Sequence, residues 1–231
     1  MVEVRVVREV GPADLAELGE LLAAAEAADG HAPIGEHHWL DLVRRNLDCY
    51  SGLIATDPPH PHPVGYGHLS CDPSSNPRQW ALEIAVDPSH RGVGVEVALV
   101  ASARTAVEDA GGGLLRLWVY RPTEIHEALA HRFDLRRERD LLQLRRPLPH
   151  PELPTWPVEV RVRSFGVGED EADLVKVNNA AFEGHPEQGR WEEEVLVKRQ
   201  QESWFDPAGF LIAEDSRGLA GFCWTKIHHR G

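Results

Sequence analysis

Residues 83–94 read EIAVDPSHRGVG, and this stretch decides the fold because an apolar strand runs directly into a glycine turn that opens a helix. The turn is Arg91-Gly92-Val93-Gly94. The first backbone N–H groups of a helix have no partner within the helix, so such a turn can bind a phosphate or another anion. Glycine also serves in ordinary strand-to-helix turns, and the glycine pattern alone leaves both interpretations open.

The segments around this turn predict an α/β fold with a mixed sheet flanked by helices. A strand, a turn, a helix and a second strand in this order form a βαβ unit with a right-handed crossover. The predicted strands are 2–8, 51–56, 64–70, 79–86 and 114–120, with a final hairpin over 137–144. The predicted helices are 12–30, 36–48, the segment from the turn to 109, and 123–131.

The chain also contains a repeat with an offset of 156 residues. Residues 2–6 (VEVRV) return as 158–162, and Gly65-Tyr66 corresponds to Gly221-Phe222. Matches at one offset predict a duplicated domain. We expect a first domain over 1–147, a Pro-rich linker over 148–157, and the first half of a second domain over 158–231, with strands and helices in the same opening order. The counterpart of Val86, which begins the segment that carries the turn, would fall at about residue 242, beyond Gly231, so the second copy is expected to be incomplete.

Composition excludes several classes of function. With 37 acidic against 24 basic residues the formal charge is −13, which disfavours nucleic acid and anionic membranes as partners. Three cysteines, far apart and in no CxxC pair, indicate neither a disulfide framework nor a zinc site, and no metal is expected. Neither a signal peptide nor a membrane span is apparent, so a cytoplasmic location is expected.

Residues 83–94, placed after a strand, two helices and a meander, resemble the acetyl-CoA signature of the GNAT N-acetyltransferase superfamily. The resemblance covers residues 1–147. It implies a sheet that splays after the strand at 79–86, with acetyl-CoA as the cosubstrate in the gap. Glu96 departs from the family, which has Gly or Ala there, and its carboxylate would repel a pyrophosphate. The residues expected at acetyl-CoA are Ile84, Ala85, Val86, Arg91, Gly92, Val93, Gly94, Val95, Glu96 and Val97.

The second half is similar to the mycothiol synthase family, through residues 178–189 (NNAAFEGHPEQG) and 221–228 (GFCWTKIH). This resemblance implies acetyl transfer from acetyl-CoA to the cysteine amine of cysteinyl-glucosaminyl-inositol, a small amino-thiol glycoside. Separately, a monomer is expected. It places Glu36, Glu187 and Lys226 at that substrate. Read as residues alone, they could instead be a helix start, an exposed turn and a protective edge-strand charge.

For the chemistry itself, Glu83 is a candidate general base of the first copy, because GNAT enzymes usually carry a carboxylate on this strand. The acid is usually a Tyr in the helix after the next strand, and the segment 124–131 has none. The first copy is therefore expected to bind cofactor, and the second to carry the reaction, so this chain is expected to be inactive alone. Two alternatives stay open: a non-catalytic acetyl-CoA-binding module, and a GNAT enzyme that acts on another small amine.

Overall fold

The structure is a computed structural model that describes residues 1–44, 49–72, 75–142, 144–149, 152, 154–183 and 191–227. The chain forms two compact units, Met1–Asp140 and Leu141–Gly231. Among the described residues, none of the helices combines the length and the apolar character that a bilayer crossing requires.

The first unit is built on a five-stranded mixed sheet with strands in the order in which they occur along the chain. The first three pairings are antiparallel and the last is parallel. This arrangement confirms the predicted α/β fold class. The strands are β1 (Glu3–Val7), β2 (Tyr50–Thr56), β3 (Pro63–Asp72), β4 (Gln79–Val86) and β5 (Leu114–Trp118), and the helices are α1 (Pro12–Asp29), α2 (Glu36–Arg44), α3 (Val95–Asp109) and α4 (Glu124–Phe133).

Helices cover both faces of this sheet, so its central strands are buried on both sides. On β2, Leu53 and Ala55 belong to the core cluster that packs against α3, whereas Ile54 belongs to the cluster beneath α1. The two clusters follow the alternation of side chains along a strand. On β4, Leu82 points to the α3 side, and Ala85 belongs to the opposite cluster. Glu83, two residues before Ala85, therefore faces α1 and α2.

The absence of a disulfide was a wrong expectation. Cys49 and Cys71 are joined by a disulfide, with their Cα atoms 5.3 Å apart. The reason is the register of the β2–β3 pair, in which Tyr50 lies opposite Ser70. The next positions outward are the two cysteines, and Cys71 N–H donates to Cys49 O at 3.0 Å. A separation of 22 residues in sequence gives no sign of this until the hairpin register is known.

The hairpin over 137–144 was also a wrong prediction. Residues 137–142 and 144, which the structure describes, form no strand. Their contacts to β5 are made by side chains: Arg116 Nε donates to Glu138 Oε2 at 2.6 Å, and the Arg139 guanidinium lies 5.3 Å from the Trp118 ring centroid. A segment as densely charged as 136–140 has no apolar face to bury, which a paired strand needs.

The second unit repeats the opening of the first. Its sheet has the order β6 (Arg161–Ser164), β7 (Phe210–Asp215) and β8 (Gly218–Trp224), with antiparallel pairings. Helices α5 (Glu171–Ala181) and α6 (Glu193–Gln200) lie between β6 and β7 in the chain. Phe210 is fully buried and stacks on the Phe165 and Trp224 rings, at centroid distances of 4.5 and 4.4 Å. Residues 158 and 159, predicted to begin the first strand, form a turn.

Candidate functional site

The glycine turn between β4 and α3 has the backbone that an anion site needs. Gly92 and Gly94 have φ angles of 71° and 109°, which residues with a Cβ rarely adopt. Gly94 is the N-cap of α3, and the first backbone hydrogen bond of the helix runs from Ala98 N to Gly94 O at 3.0 Å. The N–H groups of residues 95–97 precede this bond, so they lie at the positive end of the helix.

The sheet opens beside this turn. The parallel ladder between β4 and β5 ends at the pair Glu83 and Trp118, whereas β4 continues to Val86. Residues 84–86 therefore extend beyond their pairing with β5. On their other side the same residues pair with β3 from Gly65 to Gly67, which holds them in an extended conformation. The splay places one edge of β4 and the N-terminus of α3 next to each other.

A cavity of about 280 Å³ lies between the turn and α4. Its lining includes the glycines of the turn and, from α4, Ile125 and Leu129. Glu96 also lines the cavity, and only 5% of its surface is exposed. Its Oε1 accepts the Gly92 N–H at 3.0 Å. An internal carboxylate thus occupies one of the N–H groups that an anionic ligand of the turn would use.

Arg91 is engaged by the protein itself. Its two terminal nitrogens donate to the Asp29 carboxylate at 2.7 and 2.9 Å, and its Nε donates to Val86 O at 3.2 Å. The hydrogen bonds from Arg91 outweigh the effect of partial burial and lower the pKa of Asp29. The guanidinium therefore links the end of α1 to the turn, and a ligand would meet the backbone of Arg91 rather than a free charge.

Glu83 is the central polar group of the first unit, with 5% of its surface exposed. Its Oε2 accepts the Gly35 N–H at 2.7 Å and contacts His38 Nδ1 at 2.9 Å, and its Oε1 accepts the Tyr120 hydroxyl at 2.9 Å. Burial by itself would raise the pKa of Glu83. The hydrogen bonds from these three groups, together with the charge of His38, outweigh burial and lower that pKa.

Tyr120 is a functional candidate that sequence reasoning missed. The resemblance predicts the hydroxyl on the helix at 124–131, whereas Tyr120 follows β5 and reaches Glu83 from there. Burial, and then the charge of Glu83, raise the pKa of Tyr120. The only signal in the sequence was a tyrosine at the last position of the strand predicted over 114–120, which does not reveal where its hydroxyl lies.

A second part of this polar network lies on β2 and β3. His68 is opposite Glu83 in the strand register, and its ring stacks on that of His38 with 4.2 Å between centroids. His68 Nδ1 contacts the Tyr66 hydroxyl at 3.1 Å, which lies 2.9 Å from the Tyr50 hydroxyl. Burial raises the pKa of Tyr50 to about 12. The network is therefore neutral at its tyrosine end and anionic at Glu83.

The residues expected at the acceptor substrate lie in both units. Glu36 is exposed and is the first residue of α2, directly after Gly35. Lys226 follows β8, and its Nζ lies 4.5 Å above the Trp204 ring centroid. Glu187 lies outside the described residues. Within the described parts of the chain, no group of three or more His, Cys, Asp or Glu side chains could hold a metal ion.

Comparisons with known proteins give relatives along most of the chain. It is 40% identical to the mycothiol acetyltransferase of Acidimicrobium ferrooxidans over 213 residues, which cover 90% of this chain and 67% of that protein. It is 43% identical to the mycothiol acetyltransferase of Frankia alni over 229 residues, covering 94% and 67%. The chain thus spans about two thirds of the length of these relatives. No protein-family model matches it.

A solved structure supports the fold. A GCN5-related N-acetyltransferase from Sphaerobacter thermophilus superposes with a TM-score of 0.64, covering 99% of this chain and 72% of that protein. The sequence identity is 20%, so this likeness concerns the fold alone.

Proposed function

The chain belongs to the mycothiol acetyltransferase family, and from this premise we propose that it serves acetyl transfer from acetyl-CoA to the cysteine amine of cysteinyl-glucosaminyl-inositol in the cytoplasm. The observation that carries the proposal is the end of the β4–β5 ladder at Glu83 and Trp118, directly beside the N-terminus of α3. An extended edge next to a cluster of unpaired helix N–H groups suits a ligand with an amide-containing arm and a pyrophosphate.

In the first unit, acetyl-CoA binds along residues 84–86 and 91–97. The extended backbone of Ile84, Ala85 and Val86 offers hydrogen bonds to the amides of the pantetheine arm. The N–H groups at the start of α3 bind the pyrophosphate, because they combine unpaired donors with the positive end of a helix dipole. The apolar wall that Ile125 and Leu129 form in the adjoining cavity suits the remainder of the cofactor.

The acceptor is an ammonium and polyol ligand, and the resemblance to the family assigns Glu36, Glu187 and Lys226 to it. Carboxylates accept hydrogen bonds from sugar hydroxyls and from an ammonium, whereas a Lys ammonium donates to hydroxyl oxygens. Glu36 is exposed at the start of α2, where such a ligand would contact it. The protein acts as a monomer in this scheme, with no metal.

Titration calorimetry with acetyl-CoA tests the cofactor site. A Gly94→Asp variant places a carboxylate at the turn, where a new Cβ would meet no heavy atom within 4 Å, and it should weaken binding at least about tenfold through repulsion of the pyrophosphate. Gly111→Asp is the matched control, since Gly111 also has a positive φ, 97°, and the same open space, at the other end of α3. Equal losses in the two variants would remove the turn from the site.

Acceptor binding is tested separately. Lys226→Met should raise the Kd for cysteinyl-glucosaminyl-inositol about tenfold and leave that for acetyl-CoA unchanged, since one charged hydrogen bond is lost. Lys176→Met removes the same charge from an exposed position on α5 and serves as the control. An acceptor Kd that Lys226→Met leaves unaltered would refute the assignment of this residue.

A further inference from the structure

The start of α2 lacks a side chain of its own that caps the helix. Trp39 N donates to Gly35 O at 3.2 Å, so Gly35 holds the N-cap position. A capping box has Ser or Thr there and Glu or Gln three residues later, whose carboxyl or amide reaches back to the N-cap N–H. Here Gly35 has no side chain, and the residue three positions later is His38.

Glu83 supplies the missing carboxylate from the sheet. One of its oxygens, Oε2, accepts the Gly35 N–H at 2.7 Å and lies 2.9 Å from His38 Nδ1. The carboxylate thereby satisfies the N-cap N–H and binds the side chain at the third helical position. A negative charge at a helix N-terminus is also favoured by the helix dipole. Because Glu83 is buried on a central strand, its position is fixed by the sheet.

We infer that Glu83 is a positioning residue whose carboxylate caps α2 from β4 and so holds Glu36 in place for the acceptor amine. Glu36 is covalently next to Gly35 and begins the helix, so the cap fixes the backbone from which its side chain projects. The inference rests on the proposed function in one respect, the contact between Glu36 and the acceptor. It differs from the role of general base, because the carboxylate acts through α2 and transfers no proton.

Three variants of the 231-residue chain test it. Glu83→Ala removes the cap. Glu83→Gln keeps an oxygen for the Gly35 N–H and can donate its amide to Tyr120. Tyr120→Phe removes only the donor to Oε1 and leaves the contacts of Oε2. Glu108→Gln, on the exposed end of α3, controls for the loss of a charge.

The first measurement is amide hydrogen exchange over residues 35–39. Glu83→Ala should speed exchange there about tenfold or more, the factor that corresponds to loss of a charge-assisted hydrogen bond. Glu83→Gln should give an intermediate rate, and Tyr120→Phe and Glu108→Gln should match the wild type. Unchanged exchange in Glu83→Ala overturns the cap.

The second measurement is the Kd for cysteinyl-glucosaminyl-inositol, with acetyl-CoA titrated in parallel. Glu83→Ala should raise the acceptor Kd about tenfold, and Glu83→Gln should give an acceptor Kd between that of Glu83→Ala and that of the wild type. The acetyl-CoA Kd of both variants should stay within about twofold of the wild-type value. The positioning role is overturned if Glu83→Ala binds the acceptor as tightly as the wild type while Glu36→Gln binds it weakly.

Two further outcomes separate this inference from its premise. If Glu36→Gln binds the acceptor as tightly as the wild type, the proposed acceptor site fails, and hydrogen exchange still decides whether Glu83 caps α2. If Glu83→Gln binds the acceptor as weakly as Glu83→Ala while its amide exchange over residues 35–39 stays at the wild-type rate, the acceptor affinity does not follow the cap and the positioning role is overturned.

Discussion

Replacing Glu96 by Ala should tighten the binding of acetyl-CoA to the first unit. The Glu96 carboxylate is buried at the start of α3 and accepts the Gly92 N–H at 3.0 Å, so it competes with a pyrophosphate for the same donor. The substitution frees this N–H and removes a negative charge from the turn. It also matches the Gly or Ala that the GNAT signature has at this position.

The magnitude follows from charge and distance. Two like charges 4 Å apart repel by about 1 kcal/mol in water and by about 4 kcal/mol at the effective dielectric constant of a partly buried site. A hydrogen bond to a charged group contributes about 1.5–3 kcal/mol in addition. The variant loses about 0.3–1 kcal/mol of favourable interaction between Glu96 and the helix dipole, which affects stability rather than affinity. The net gain in binding should exceed about 1.4 kcal/mol, which is a tenfold lower Kd.

Titration calorimetry of the wild type, Glu96→Ala and Glu96→Gln measures this. Glu96→Gln removes the charge but keeps an acceptor for the Gly92 N–H, so its Kd should lie between the other two. Glu108→Ala removes the same charge from the exposed end of α3 and should bind like the wild type. A Kd for Glu96→Ala equal to or above that of the wild type, with the fold intact by circular dichroism, would refute the competition.

Three further outcomes concern stability. Because the pKa of Glu83 is lowered in the folded protein, its contribution to stability is complete above the unfolded value of about 4.3 and is lost as the pH falls through the folded value. The difference in unfolding free energy between the wild type and Glu83→Gln should thus be constant from about pH 7 to 5 and shrink below about pH 4; a difference that is the same at pH 6 and pH 3 would contradict the lowered pKa. Asp170 binds Arg163 through both oxygens, at 2.5 and 2.7 Å, and accepts the Gly166 N–H at 2.7 Å, so Asp170→Asn should destabilise the second unit by about 1–3 kcal/mol in urea unfolding. Asp215→Asn weakens the ion pair with the exposed Arg217 and keeps an oxygen for the Arg217 N–H, so it is the control and should cause no measurable loss. Alkylation and peptide mapping of the purified protein without reductant should find Cys49 linked to Cys71 and Cys223 modified, and Cys71→Ser should cost about 3 kcal/mol; free thiols at all three positions would rule out the disulfide.

The sequence by itself was enough for the features that depend on local pattern. The strand predicted over 2–8, the helix predicted over 12–30 and the strand–turn–helix at 83–94 each lie where the structure has a strand or a helix. The 156-residue repeat indicated two copies of one opening, and β6–β7–β8 reproduces the order of β1–β2–β3. Such features follow from periodicity and from backbone conformations that few residues adopt, and both can be read over a few neighbouring positions.

Only the tertiary structure decided which distant residues meet. Glu83 caps a helix that begins 47 positions earlier in the chain, and the two cysteines face each other because of one hairpin register. Glu83, the candidate base, thus accepts hydrogen bonds from Gly35 and Tyr120 and contacts His38. Glu96 accepts the Gly92 N–H, which is one of the donors of the phosphate turn. The physical reason is that a carboxylate has the same local sequence signature whether it faces solvent, a ligand or a backbone N–H. Its partner is set by how the sheet brings separate segments together.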